Sequence, residues 1–223
     1  MTYTVVEKTI ETQTHGRFLL SPGADSHAPL LLGFHGYGET AEEHLQRLRA
    51  IPGIEKWMVV SVQGLHQFYR RRTDEIVASW MTRQNRELAI ADNLAYVRQV
   101  IGSLTLDTAS VLVVAGFSQG VAMAYRTAAS LDAPVSGVIA CGGDVPPELN
   151  ATALGRIPAA LIGRGLRDDW YTAEKAQADQ TRLLVAGVRV QKETFDTGHE
   201  WPPQFAETCS LFLQTSLASS STL

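Results

Sequence analysis

Two glycines flank a serine at two residues' distance in Gly116-Phe117-Ser118-Gln119-Gly120, where the apolar run 111–115 gives way to the Ala-rich stretch 121–129. A strand feeding a helix through this pentapeptide is the setting of a nucleophile elbow. The turn is sharp enough to hold the serine in a strained backbone conformation, so the positions two before and two after must lack colliding side chains. Gly116 and Gly120 meet that need. Such a turn lifts the Ser118 hydroxyl above a sheet and aims the unpaired N–H groups of the helix start at the reacting oxygen. Chance yields about 0.1 matches to the motif in a chain of this composition, so the strand before and the helix after carry the reading.

A serine needs a base, and among the six histidines His199 stands out, in Asp196-Thr197-Gly198-His199-Glu200-Trp201 after the apolar run 188–195. That position completes the chain order nucleophile, acid, base. His15, His27, His44 and His66 fit surface or capping roles. The acid belongs after the preceding run, 159–162, where Arg164-Gly165-Leu166-Arg167-Asp168-Asp169 offers two adjacent carboxylates. Only one of two neighbours on an extended loop can face the imidazole; the other is left as a solvated turn residue or a helix cap. The glycine-rich turn Phe34-His35-Gly36-Tyr37-Gly38-Glu39 supplies a second oxyanion donor beside the Gln119 N–H: Tyr37 is the candidate and Gly36 the second choice. His35 has no second ligand at metal spacing and reads as a brace for this loop.

The elements that must position these residues follow from hydrophobic patterning. Residues 30–34, 57–62, 111–115, 135–140, 159–162 and 188–195 are short apolar runs, as in strands covered on both faces. Helical stretches lie between and after them at 41–50, 84–101, 119–130, 172–186 and 203–216. This alternation predicts an α/β fold: a mostly parallel central sheet with helices on both faces. Residues 3–12 and 16–20 alternate apolar and polar side chains, which predicts an antiparallel N-terminal hairpin at the sheet edge. Ligands then bind beyond the carboxyl ends of the strands. Residues 1–215 read as one domain, and the polar end 216–223 as a frayed tail.

Net charge −4 and a balanced mean hydropathy of −0.03 provide no basic footprint for nucleic acid or anionic membrane. Cys141 and Cys209 lack metal or redox spacing and read as buried free thiols. The N-terminus carries no apolar segment behind a basic start, and no window approaches a membrane span, so the expectation is a cytoplasmic protein without membrane insertion. No cofactor or metal is implied. The expected partner is a small-molecule ester, and a homodimer is compatible with the sequence.

The four motifs together, Phe34 to Gly38, Gly116 to Gly120, Gly165 to Asp168 and Gly198 to Glu200, resemble in order and spacing the phospholipase/carboxylesterase family of α/β-hydrolases, which includes acyl-protein thioesterase-like enzymes. The resemblance covers residues 28–215 and implies an α/β-hydrolase fold without a large lid. By the same resemblance Ser118 is the nucleophile, Asp168 the acid, His199 the base, and Tyr37 and Gln119 the oxyanion donors. Val121 replaces the glycine that usually follows the pentapeptide, and Trp170-Tyr171-Thr172 stands where many members have Val-Pro. The segment 67–72, followed by Ser79-Trp80, is unlike thioesterases acting on lipidated proteins.

Phe68, Tyr69, Trp80, Trp170 and Trp201 fall beyond strand ends on the nucleophile's side and are the candidate walls of an acyl or aryl pocket. Arg70, Arg71 and Arg72 read as a solvated loop answered by Asp74 and Glu75, or alternatively as a contact for an anionic substrate. The function expected is hydrolysis of carboxylic esters, or thioesters, of short to medium acyl chains through a Ser-His-Asp triad and an acyl-enzyme. The alternatives are a peptidase or lysophospholipase on this fold, or a non-catalytic binding module; no triad member is missing, which argues against the last.

Overall fold

The apolar runs become the strands of the computed structural model, which describes residues 4–25, 27–104 and 111–220. In chain order the elements are β1 (Phe18–Ser21), β2 (Leu30–Phe34), α1 (Ala41–Arg49), β3 (Met58–Val62), β4 (His66–Tyr69), β5 (Ile76–Ser79) and α2 (Arg86–Ser103). There follow β6 (Leu112–Phe117), α3 (Gln119–Ser130), β7 (Gly137–Cys141), α4 (Ala151–Leu154), β8 (Ala159–Gly165), α5 (Ala173–Val185), β9 (Arg189–Phe195) and α6 (Pro203–Ser220). A seven-stranded sheet runs in the order β1-β3-β2-β6-β7-β8-β9, parallel except for β1 on β3.

Period-two alternation divides the apolar residues between two covered faces. Leu30, Leu32, Phe34, Val60, Val62, Val114 and Ile162 pack under α2, α3 and α5 with Val97, Tyr125 and Leu183. Leu31, Val59, Val113, Ala115, Ile139 and Leu161 pack on the other face under α1 and α6, against Leu48, Phe205, Cys209 and Phe212. Both cysteines are buried free thiols, and burial pushes the Cys141 thiol up. Among the described residues no helix is long and apolar enough to cross a membrane.

Four expectations need correction. Among the described residues the N-terminal hairpin does not form: residues 4–12 carry no strand, Val5, Val6 and Ile10 are exposed, and the antiparallel edge of the main sheet comes from β1 pairing with β3, while Tyr3 lies outside the described residues. A hairpin hung on a sheet edge has no second apolar layer to bury those side chains. β9 is an edge strand with mostly exposed residues rather than a strand covered on both faces; its Lys192 and Glu193 suit an unpaired edge. α6 continues to Ser220 instead of fraying from Ser216, because Phe212, Leu213 and Ser216 are buried and Ser216 Oγ donates to the Phe212 carbonyl. His44 is fully buried on α1, its ring edge-on to Trp201, not on the surface.

The hairpin β4–β5 is separate from the main sheet and was not expected. It clamps onto the loop after β2: Gly38 N donates to Ala78 O and Ala78 N to Glu39 O.

Candidate active site

The elbow forms between β6 and α3, where Ser118 adopts φ 51° and ψ −118°. An L-residue holds this region only when its surroundings over-determine it. The two glycines explain how the turn closes: a Cβ on Gly116 would lie 2.4 Å from Gly120 O, and one on Gly120 would lie 2.0 Å from Phe34 O. Val121, at the position where the family usually has glycine, is buried in the core and leaves the elbow intact.

His199 Nε2 lies 2.8 Å from Ser118 Oγ, and His199 Nδ1 lies 2.8 Å from Asp168 Oδ2. The other carboxylate oxygen, Asp168 Oδ1, accepts the backbone N–H groups of Trp170 and Tyr171, both at 2.8 Å. Three hydrogen bonds thus fix a carboxylate whose side chain is 1% exposed, while the imidazole is 25% exposed and reaches the surface cleft. Asp169 is exposed, and the cap of α5 is Thr172. The choice between the two aspartates is therefore made by the turn, in which Tyr171 is buried and its hydroxyl donates to Asp179.

Tyr37 and Gln119 line the cleft with Ser118, and among the described residues neither backbone N–H donates a hydrogen bond. The second-choice donor Gly36 is committed: its N–H donates to Glu39 Oε2 at 2.7 Å. The same carboxylate is held bidentately by Arg47, whose guanidinium lies 4.7 Å from the Phe117 ring centroid; that ring in turn packs against His199. His35 braces the loop: Gly64 N donates to its Nε2 at 2.9 Å, which leaves Nδ1 to donate to Gly36 O at 2.7 Å. Burial holds His35 below its ordinary pKa, which keeps that tautomer neutral.

The unexpected hairpin ties the Tyr37 and Gln119 segments together. Gln119 Oε1 accepts from Trp80 N at 2.9 Å and Ser79 Oγ at 3.2 Å, and Gln119 Nε2 donates to Met81 O. Since β5 also bonds the Gly38–Glu39 segment, one short strand fixes the spacing between Tyr37 and Gln119.

Of the expected wall aromatics, only Trp170 lines the cleft of about 370 Å³ that contains Ser118 and His199, together with Tyr37. Trp80 is fully buried; its indole N–H donates to His35 O and its ring packs on Phe34 and His35. Trp201 packs against Phe205 and His44 beneath the sheet. Phe68 lies on β4, stacked on the Tyr37 ring, and Tyr69 beside it is exposed. The rings of Trp80, Trp201 and Phe68 found partners in the scaffold, which is the ordinary fate of loop aromatics, while Tyr69 is left to solvent. Arg70 is likewise structural, bonding Glu75, Glu43 and Gly38 O, and none of Arg70, Arg71 and Arg72 lines the cleft. The cleft is instead completed by residues the motifs did not flag, among them Met81, Arg86, Ala122, Arg126, Asp144 and Lys175. Ala122 and Arg126 were accessible in principle, four and eight residues after Ser118 on one helix face. Among the described residues no cluster of three or more His, Cys, Asp or Glu side chains could hold a metal ion.

In overall structure the chain is similar to the Bacillus cereus carboxylesterase (TM-score 0.71, 17% identity, covering 90% of this chain and 94% of that one). It is similar also to esterase PE8 (TM-score 0.74, 20% identity, 91% and 99% covered), and to Zea mays acyl-protein thioesterase 2 (TM-score 0.69, 17% identity, 91% and 100% covered). Among curated proteins none matches by sequence. The model of the phospholipase/carboxylesterase family matches residues 15–217, which takes in Tyr37, Ser118, Gln119, Asp168 and His199: the chain belongs to the phospholipase/carboxylesterase family of α/β-hydrolases.

Proposed function

We propose that this protein is a serine hydrolase that cleaves small-molecule carboxylic esters, and thioesters, of short to medium acyl chains through an acyl-enzyme on Ser118. The observation that carries this reading is the continuous relay from Ser118 Oγ through His199 to Asp168, with 2.8 Å at each step. His199 Nε2 removes the hydroxyl proton as Ser118 Oγ bonds to the acyl carbon. The carbonyl oxygen becomes an oxyanion held by the Tyr37 and Gln119 N–H groups. Collapse of that intermediate breaks the bond to the alcohol or thiol, which leaves with the proton from His199. Water then attacks the acyl-serine and gives one proton to His199, which returns it to Ser118 Oγ as the acyl–oxygen bond breaks, releasing the acid and restoring the serine. Asp168 accepts from Nδ1–H throughout, which keeps Nε2 as the acceptor facing the serine.

A fluorophosphonate is expected to add one label, at Ser118, and to abolish ester turnover, with Ser118→Ala neither labelled nor active. Labelling elsewhere, or an active Ser118→Ala, would end this reading. An ester series from acetyl to palmitoyl, with matching thioesters, is expected to peak at or below about eight carbons, because the cleft is open and ends on charged side chains.

A further inference from the structure

The cleft around Ser118 extends along one face of α3. Ala122 and Arg126 follow the serine at intervals of four, so Arg126 lies about 12 Å along the helix from it, with only a methyl group between. The Arg126 side chain is 2% exposed. Its Nε donates to Glu148 Oε1 at 2.7 Å, and its Nη1 faces only the Met81 sulfur at 3.5 Å. Among the described residues its Nη2 donates no hydrogen bond. Arg86, also lining the cleft, approaches the second oxygen of the same carboxylate at 3.6 Å. Two guanidinium groups therefore share one carboxylate, and this end of the cleft keeps an uncompensated positive charge. Lys175 and Asp144, from α5 and the loop after β7, pair with one another at 3.5 Å and cancel.

A buried guanidinium is costly unless its charge and its N–H groups are met. Here one carboxylate meets two of them, and a thioether occupies a donor that suits an oxyanion. We infer that Arg126 and Arg86 form a subsite for a carboxylate carried by the substrate, at the end of the ester remote from the bond cleaved. A guanidinium matches a carboxylate with paired, charge-assisted hydrogen bonds, whereas an apolar chain end at this point would desolvate the charges without replacing their partners. The inference rests on the esterase reading for its reaction and assigns the substrate's chemical class. It moves acidic recognition from Arg70, Arg71 and Arg72, which lie outside the cleft, to a pair that lines it.

The test compares 4-methylumbelliferyl hemisuberate with 4-methylumbelliferyl octanoate, which differ by a terminal carboxylate on the acyl chain. A second pair, 4-carboxyphenyl octanoate against phenyl octanoate, carries the charge on the leaving group instead. In wild type at least one acidic member is expected to have the higher kcat/KM, and the preferred pair tells which half of the ester lies along α3. Arg86→Gln and Arg126→Gln should each lower that preference at least tenfold, chiefly through KM, and Glu148→Gln should raise it. Arg71→Gln serves as the control and should leave the preference unchanged. Arg126→Gln removes a buried group, so the half-exposed Arg86 and Glu148 keep the test sound if that variant misfolds. Binding of suberate itself, measured by calorimetry, should weaken at least tenfold in Arg86→Gln, and this readout needs no turnover. Neutral esters preferred in both pairs, or suberate binding absent in wild type, would overturn the subsite while leaving Ser118 labelling and the esterase reading intact. A protein that binds suberate through Arg86 but cleaves no ester would keep the subsite and overturn the reaction.

Discussion

Replacing Asp168 by asparagine changes one atom, and the turn around it dictates how that atom sits. Oδ1 accepts from Trp170 N and Tyr171 N at 2.8 Å each, so the asparagine carbonyl stays there; the reverse orientation would set the amide NH2 against two donors. The NH2 group then faces His199 Nδ1, which must become the acceptor. The ring proton moves to Nε2, 2.8 Å from Ser118 Oγ, and the serine loses its base. The expected loss in kcat is about 10⁴-fold, the size seen for the same exchange in a comparable triad. That equals about 5.4 kcal/mol of transition-state stabilisation. Asp169→Asn, on an exposed residue that does not reach the imidazole, should cost less than about tenfold. The assay is steady-state hydrolysis of a chromogenic ester, with thermal melts to show both variants folded. A folded Asp168→Asn enzyme within about tenfold of wild type, or a crippled Asp169→Asn, would refute the reasoning.

Two other outcomes are expected. Gly120→Ala sets a Cβ 2.0 Å from the Phe34 carbonyl oxygen, backbone against backbone, and should destabilise the fold by about 1–3 kcal/mol or more in urea denaturation; a near-neutral effect would show that the elbow can shift. Burial holds His44 and His35 below the ordinary imidazole value of 6.5, so below that pH the unfolded chain binds protons that the folded chain refuses. Stability is therefore full above about pH 6.5 and falls as the solution is acidified, by up to about 1.4 kcal/mol per pH unit for each group. His44→Leu should lose less stability than wild type between about pH 7 and pH 5, and equal losses would refute the assignment.

Local chemistry made much of the site legible in the sequence. An elbow needs two residues without Cβ atoms at fixed offsets, and a strand and a helix must flank it, so Gly116, Ser118 and Gly120 announce themselves without tertiary information. Unbroken apolar runs likewise reveal strands covered on both faces, because no polar residue interrupts either side of 30–34 or 111–115. What the sequence by itself determined was thus the parallel α/β core, the order of Ser118, Asp168 and His199 along the chain, and the loops that carry them. Whether an alternating segment finds a partner, whether a tryptophan lines a cleft or fills a core, and where an arginine's charge is answered depend on residues far away in the chain. Residues 4–12 are rich in the β-branched side chains that suit a strand but meet no second layer. Trp80 sits beside the pentapeptide's Gln119 yet turns inward, because His35 offers its indole a carbonyl. Arg126 looks like one more polar residue on a helix until packing buries it beside Glu148 in the wall of the Ser118 cleft. Only the tertiary structure decided these, since burial and electrostatic compensation are properties of assembled surfaces rather than of local sequence.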